Sequence, residues 1–412
     1  MKYGCIGEHL QHSFSKEIHN ALTDYEYELR EIARDELSDF AEQKDFNAIN
    51  VTIPYKELII PHMYSTDEHA KAIGAVNTVV NRDGKLYGYN TDFYGMSMLA
   101  RHAGVDMRDK KVAILGTGGT SKTAFAVAKA LRAREVIRVS RTAREDAITY
   151  GELYEKHADT EVIINTTPMG MFPNIFGLSL DIAPFHKLSG VLDAVYNPLR
   201  TPLILSAIER KISAEGGLYM LVSQAVRASE IFVDTVYPEG ELERIYKKIL
   251  SEKENIVLTG MPASGKSTVG KLLADSTGRE LIDTDALIEE RAKKPIPDIF
   301  AEFGESYFRE LESEVIRDIS CRTGIIISTG GGAILRRENV SALKENGRIY
   351  FIDRPLEALI PTGDRPLAST REAITKRYNE RYEIYKSTAD AVINADCDAE
   401  SVAKKIEGSF GI

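Results

Sequence analysis

Positive charge is in deficit in this chain: 52 lysines and arginines face 62 acidic residues, a formal net charge of −10. Phosphate backbones are held by clustered Lys and Arg, so the deficit argues against a nucleic-acid partner; a small anionic substrate needs only a few local cations. Cysteine is scarce as well. Cys5, Cys321 and Cys397 stand far apart, without the close pairs of metal sites or redox motifs, and the expected location is a reducing cytoplasm. No run approaches the apolar length that crosses a bilayer, so no membrane partner is expected. The start, Met1-Lys2-Tyr3-Gly4-Cys5-Ile6-Gly7, lacks the apolar core and small-residue cleavage site of a secretory signal and reads as a first strand. All eight histidines lie between His9 and His186. The C-terminal part must work without an imidazole base or ligand, which removes many hydrolase schemes there.

What is present is chain enough for two or three domains of about 100 to 200 residues. Strand-like runs at Val112–Leu115, Val136–Val139, Val162–Ile164 and Val191–Leu192 alternate with helix-like stretches, a pattern that implies parallel sheets covered by helices. A fresh start appears at Asn255-Ile256-Val257-Leu258-Thr259, after a charged stretch from Glu239 to Glu254. The spacing of Leu242, Ile245, Ile249 and Leu250 predicts a final helix there, and places the main boundary near Lys253 with little flexible linker. There is no internal repeat and no low-complexity segment.

The apolar run Lys111 to Leu115 leads into Gly116-Thr117-Gly118-Gly119-Thr120-Ser121-Lys122 and then a helical pattern through Ala124, Val127, Ala128 and Leu131. A strand, a glycine turn and a helix make a dinucleotide pyrophosphate site, because bare backbone lets phosphate approach the helix N-terminus. Ser121 stands where the usual fingerprint has its third glycine, and on the pattern alone a structural turn stays open. At the end of the next strand, where a NAD site carries Asp or Glu, stand Ser140-Arg141-Thr142. A cation and two hydroxyls suit a ribose phosphate, so the expected cofactor is NADP(H).

Upstream lie pieces that a dinucleotide fold does not explain. Ser13 or Ser15 could cap a helix opening at His12-Ser13-Phe14-Ser15-Lys16, Lys56 stands just past a strand end in Asn50–Lys56, and Thr91 or Asp92 could cap a helix at Asn90-Thr91-Asp92. Taken together and in order, these segments, with Gly74-Ala75-Val76-Asn77-Thr78, the glycine loop, Asn165–Met171 and Gly217–Gln224, closely resemble shikimate dehydrogenase over about residues 1 to 250. The resemblance implies that Ser13, Ser15, Thr52, Asn77 and Gln224 hydrogen-bond the substrate, with Tyr196 nearby, and that Lys56 and Asp92 form the catalytic pair. It also implies Ala194, Gly217 and Met220 beside the cofactor. The chemistry fits: as hydride reaches a ketone, the developing alkoxide needs a positioned proton donor, which Lys56 can be. Ala48 stands where relatives often have glycine, Lys16 where proline is common and Lys122 where many carry Arg. A quinate-using relative remains the nearest competitor.

The run Gly260-Met261-Pro262-Ala263-Ser264-Gly265-Lys266-Ser267 follows a strand and opens a helix, the setting of a P-loop. Its backbone N–H groups, through Gly260, Ala263, Ser264, Gly265 and Thr268, cradle ATP phosphates; Lys266 reaches the outer phosphates and the Ser267 hydroxyl ligates Mg2+. Asp283-Thr284-Asp285 ends the next short strand; Asp283 can assist the metal and Asp285 can accept the acceptor's proton, or either can cap a helix.

Residues 254 to 412 resemble shikimate kinase through Asp283–Asp285, Ile299-Phe300, Gly304-Glu305, Phe308–Glu312, Gly330-Gly331-Gly332, Arg365-Pro366-Leu367 and Arg381–Tyr385. The resemblance implies that Asp285 orients the reacting hydroxyl, that Arg309 and Arg381 pair with the carboxylate, that the glycine triplet meets the ring, and that Arg365 lies in a lid. Taken alone, Arg309 and Glu312 are spaced as an ordinary helix-surface ion pair. The segment Ile360-Pro361-Thr362-Gly363-Asp364 is shorter than the usual lid and lacks the arginine often set against the adenine.

The expected architecture is α/β throughout: a substrate-binding domain at 1–100 with a return helix near 218–250, a Rossmann NADP domain at 101–217, and a P-loop kinase domain with a parallel sheet at 254–412. The expected function is reduction of 3-dehydroshikimate to shikimate followed by its phosphorylation with ATP. Competing readings are that one half is a non-catalytic ligand-binding or regulatory module, or that the kinase half takes another small polyol such as gluconate. Monomer and homodimer both remain open.

Overall fold

The computed structural model describes residues 1–10, 14–360 and 370–411. Two compact units divide the chain, Met1–Ile249 and Leu250–Ile412. The strand runs read from the sequence all form strands, as Lys111–Leu115, Glu135–Ser140, Val162–Asn165, Gly190–Asp193 and Asn255–Thr259.

The first unit holds two sheets. One runs in the order Tyr27–Glu31, Tyr3–Gly7, Ala48–Val51, Thr78–Arg82, Lys85–Tyr89, Ser65–Thr66. Its first three strands are parallel, whereas Thr78–Arg82 is antiparallel to both neighbours. This lobe is thus mixed rather than parallel, because Asp83 (φ 53°) and Gly84 (φ 79°) close a two-residue hairpin, and paired positive φ values match the twist of the flanking strands. The second sheet is parallel throughout, in the order Ser213–Glu215, Gly190–Asp193, Val162–Asn165, Lys111–Leu115, Glu135–Ser140, Ile148–Thr149. Its central strands are buried along their length, as helix-covered parallel strands must be.

The return segment is two helices, Leu218–Val233 and Glu241–Lys253, not one. Asp234 ends the first in the left-handed conformation (φ 51°), and Pro238 and Gly240 (φ 90°) follow before the second begins. Leu218–Val233 packs on Thr91–His102. Glu241–Lys253 buries Ile245, Tyr246 and Ile249, and Tyr219 Oη donates to Glu243 Oε1 at 2.7 Å.

The second unit is one parallel sheet ordered Leu281–Asp283, Ile326–Ser328, Asn255–Thr259, Gly347–Asp353, Ala391–Asn394. The first strand in sequence lies centrally, so the chain leaves it to opposite sides and opens a crevice at its carboxyl end. No helix among the described residues is long and apolar enough to cross a membrane.

Candidate active sites

In the first unit a cleft of about 1360 Å³ joins the two lobes. That exceeds the roughly 300–1,000 Å³ typical of a single small-molecule pocket and has room for a dinucleotide beside a ring. Ser15, Thr52, Lys56, Asn77, Asp92, Tyr196 and Gln224 line one part of it; Gly116, Gly118, Gly119, Ser140, Arg141, Thr142, Ala194, Gly217 and Met220 line the rest. Ser13 lies outside the described residues.

The first part is organised around one carboxylate. Lys56 Nζ donates to Asp92 Oδ2 at 2.6 Å, and Asn77 Nδ2 donates to Asp92 Oδ1 at 2.9 Å. Asn77 Oδ1 in turn accepts the Thr91 backbone N–H at 2.8 Å, and Thr91 Oγ1 donates to Gln224 Oε1 at 3.3 Å. The cap of the helix Thr91–His102 is Asn90, whose Oδ1 accepts from Phe93 N at 3.2 Å, rather than Thr91 or Asp92. Moving the cap one residue back frees Asp92 for the cleft and the Thr91 hydroxyl for Asn77 and Gln224 behind it. Ser15 is the first helical residue of Ser15–Leu22, one past the N-cap position that Phe14 holds.

The glycine turn works as its residue types require. Gly116 has φ +108°, and a Cβ there would lie 2.8 Å from Thr166 Oγ1. A Cβ on Gly118 or Gly119 would meet open space, so that backbone faces the cleft and fits a pyrophosphate. Ser121, in place of a third glycine, is buried and donates through Oγ to Gly116 O at 2.7 Å, tying helix to turn. Ser140 Oγ donates to Thr142 O, and Arg141 lines the cleft beside them. Arg144 lines it too; it was missed by sequence reasoning, though a second arginine three residues after Arg141 was the available signal. Behind the Ala194–Asn197 edge sits Asp193, fully buried, accepting from Val195 N (2.9 Å), Asn165 Nδ2 (2.9 Å) and Thr201 Oγ1 (2.7 Å). Burial pushes its carboxyl up to about 7, against the pull of those hydrogen bonds.

In the second unit the loop Gly260–Gly265 leads into the helix Lys266–Thr277. Ala263 (φ 65°) and Gly265 (φ 93°) hold left-handed conformations, and Lys266 Nζ donates to Gly260 O (2.9 Å) and Met261 O (3.0 Å). Ser264 is buried, whereas Ser267 and Thr268 face solvent at the helix start. Asp283 is both cap and cleft residue: Oδ1 accepts from Asp285 N at 3.0 Å, and Oδ2 accepts from Ser267 Oγ and Ser328 Oγ, each at 3.2 Å. Hydroxyl and carboxylate oxygens beside a phosphate loop are the hard donors that Mg2+ takes, with phosphate and water completing its shell. Among the described residues no group of three or more His, Cys, Asp or Glu could hold a metal by itself.

A second cluster of this unit is built on the glycine triplet Gly330–Gly332. A Cβ on Gly330 would sit 2.5 Å from Asp285 Oδ1, and one on Gly332 would sit 2.1 Å from Arg309 Nη1. Only bare backbone lets these two side chains come so close. Arg309 Nη1 donates to Glu312 Oε2 at 2.8 Å, and Nη2 to Glu305 Oε1 at 3.1 Å. The Arg309–Glu312 pair is no surface pair, since the side chains are 11% and 1% exposed. Burial pushes the Glu312 carboxyl up although Arg309 pulls it down; burial disfavours the Arg309 charge, and the two glutamates more than offset this. Arg381 Nη1 (2.9 Å) and Tyr385 Oη (2.5 Å) both donate to Gly331 O. Tyr385 was assigned no role from sequence, although it stands one helical turn beyond Arg381. Arg365 and Pro361–Asp364 lie outside the described residues.

Comparison with known proteins gives two non-overlapping matches. The model of the shikimate dehydrogenase substrate binding domain matches residues 5–79, and that of shikimate kinase matches residues 262–409. Shikimate dehydrogenase (NADP(+)) of Clostridium perfringens is 36% identical over 265 residues, covering 60% of this chain and 97% of that protein. Shikimate kinase of Clostridium beijerinckii is 43% identical over 159 residues, covering 38% of this chain and 94% of that protein. Among solved structures, shikimate dehydrogenase 1 from Peptoclostridium difficile superposes with a TM-score of 0.56 at 32% identity, covering 60% of this chain and 98% of that one.

Proposed function

We infer that the chain, which belongs to the shikimate dehydrogenase family through its first unit and to the shikimate kinase family through its second, is a bifunctional shikimate-pathway enzyme. The first unit reduces 3-dehydroshikimate to shikimate with NADPH, and the second phosphorylates shikimate to shikimate 3-phosphate with ATP. The observation that carries this is the repeated pairing, within each unit, of a glycine-rich phosphate cradle with one carboxylate, Asp92 in the cleft of the first and Asp285 against Gly330 in the second.

In the first reaction NADPH supplies the hydride. Lys56 delivers the proton to the oxygen of the reduced carbonyl, so that ketone becomes hydroxyl, while Asp92 holds the ammonium and a neighbouring substrate hydroxyl. Asn77 fixes the Asp92 carboxylate from its other oxygen. Ser15, Thr52, Tyr196 and Gln224 orient the ring and its carboxylate. Ser140, Arg141 and Thr142 take the 2′-phosphate that distinguishes NADP from NAD. In the second reaction ATP supplies the phosphoryl group. Asp285 receives the proton of the attacking hydroxyl, Lys266 and the loop amides stabilise charge on the phosphates, and Ser267 and Asp283 hold Mg2+. Arg309 and Arg381 face the substrate carboxylate, which a guanidinium fork matches.

A two-signal assay on the purified chain tests this. NADPH absorbance should fall on addition of 3-dehydroshikimate, and ADP should appear only when ATP and Mg2+ follow. Absence of either signal, with the matching nucleotide bound, overturns that half of the assignment.

A further inference from the structure

Arg354, among the described residues of the second unit, has a placement that the two reactions leave unexplained. It follows the strand Gly347–Asp353, which pairs with the strand Asn255–Thr259 leading into the phosphate loop. Both strands therefore deliver their ends to the same carboxyl edge of the sheet, where ligands of open α/β folds bind. Its Nη1 lies 3.8 Å from where a Cβ on Gly265 would stand. Gly265 immediately precedes the helix Lys266–Thr277, whose first amides point at the phosphates.

Arg354 as a whole is half-buried, and its Nε is buried without a hydrogen-bond partner among the described residues. No ion pair involves it there. The adjacent carboxylate is already engaged, since Tyr382 Oη donates to Asp353 Oδ2 at 3.0 Å. A buried donor left unmade is unfavourable, and a charged one more so, unless a ligand completes it. A planar guanidinium fork suits phosphate oxygens.

Resting on the kinase assignment above, we propose that Arg354 is a further nucleotide-contacting residue, donating to the polyphosphate seated in Gly260–Ser267. Its contact is with the phosphate chain rather than the adenine, because the nearest landmark is the phosphate-facing Gly265 and not a ring-sized surface.

The test uses the full chain with Arg354→Gln and Arg354→Lys. Titration calorimetry with AMP, ADP and ATP in Mg2+ is the primary readout, and it needs no acceptor. For R354Q the expected loss of ATP affinity is about ten- to a hundredfold, the size of one charge-assisted hydrogen bond, shrinking through ADP to AMP. R354K should recover part of it. In steady state the ATP KM should rise while the shikimate KM, the NADPH oxidation rate and the thermal midpoint stay put. Unchanged ATP affinity in R354Q overturns the proposal, as does an equal loss across AMP, ADP and ATP, which would mark a contact with the part the three share and not with the outer phosphates. Parallel rises in both KM values with a lowered melting point would mark a merely structural arginine and overturn it too. A wild-type chain that binds ATP yet leaves shikimate unphosphorylated would instead overturn the kinase assignment, with the calorimetric comparison still deciding Arg354.

Discussion

Lys56 and Asp92 stand 36 positions apart, and nothing local says that they meet; Asn77, from a third segment, completes the triad. Residue types and order made each visible, but the hydrogen bonds that give Asp92 two different partners arise from the lobe's folding. Replacing Lys56 by Met keeps the side chain's bulk and removes its proton. NADPH oxidation should fall by roughly two to four orders of magnitude, with phosphorylation of supplied shikimate unchanged in a coupled ADP assay. Asp193 was not legible as special, because a strand-end aspartate reads as an exposed cap until the sheet buries it. Its folded carboxyl sits at about 7, above an unfolded value of 3.8, so the folded state holds the extra proton. Stability from this group is full below pH 4, declines as pH rises and is lost above about 7. Asp193→Asn can keep all three hydrogen bonds, with its amide donating to Thr201. It should flatten that decline, which amounts to about 4 kcal/mol at full size. Urea midpoints at pH 5 and pH 8 check this; equal slopes in both proteins would refute it.

At the scale of elements, strands and glycine turns were the legible part, because buried parallel strands and phosphate-facing turns write themselves into short apolar runs and bare residues. The hairpin at Asp83-Gly84 carried a strong local signal that went unused, and the break at Asp234–Gly240 was lost inside a continuous helical pattern. Helix caps were harder, since several adjacent polar residues can fill the position and only backbone geometry selects one: Asn90 over Thr91 and Asp92. The triplet Gly330–Gly332 shows what a turn's composition does for chemistry. Gly332→Ala puts a methyl 2.1 Å from the Arg309 guanidinium, which must move away from Glu312 or from the ring acid. The shikimate KM should rise at least tenfold with the ATP KM nearly unchanged, in steady-state assays varying each substrate. A variant with wild-type shikimate KM would show that Arg309 does not meet the carboxylate.

Across the whole molecule, a chain with two nucleotide cradles carries two separable chemistries. Lys56→Ala and Lys266→Ala chains should each lack one activity, and a mixture of them should convert 3-dehydroshikimate to shikimate 3-phosphate, followed by anion-exchange chromatography. No product from the mixture would contradict two independently working sites. The helix Glu241–Lys253 also limits how the protein can be dissected. Its Tyr246 packs on His102 and Tyr219, and Ile249 is fully buried, so truncation before residue 241 would strip an apolar seam from the reductase half. Yet Arg279 Nη2 donates to the Ser251 carbonyl near the same helix's end. A scissile point that respects both sets of contacts therefore falls between Ile249 and Ser251, within the helix Glu241–Lys253 and not in a loop.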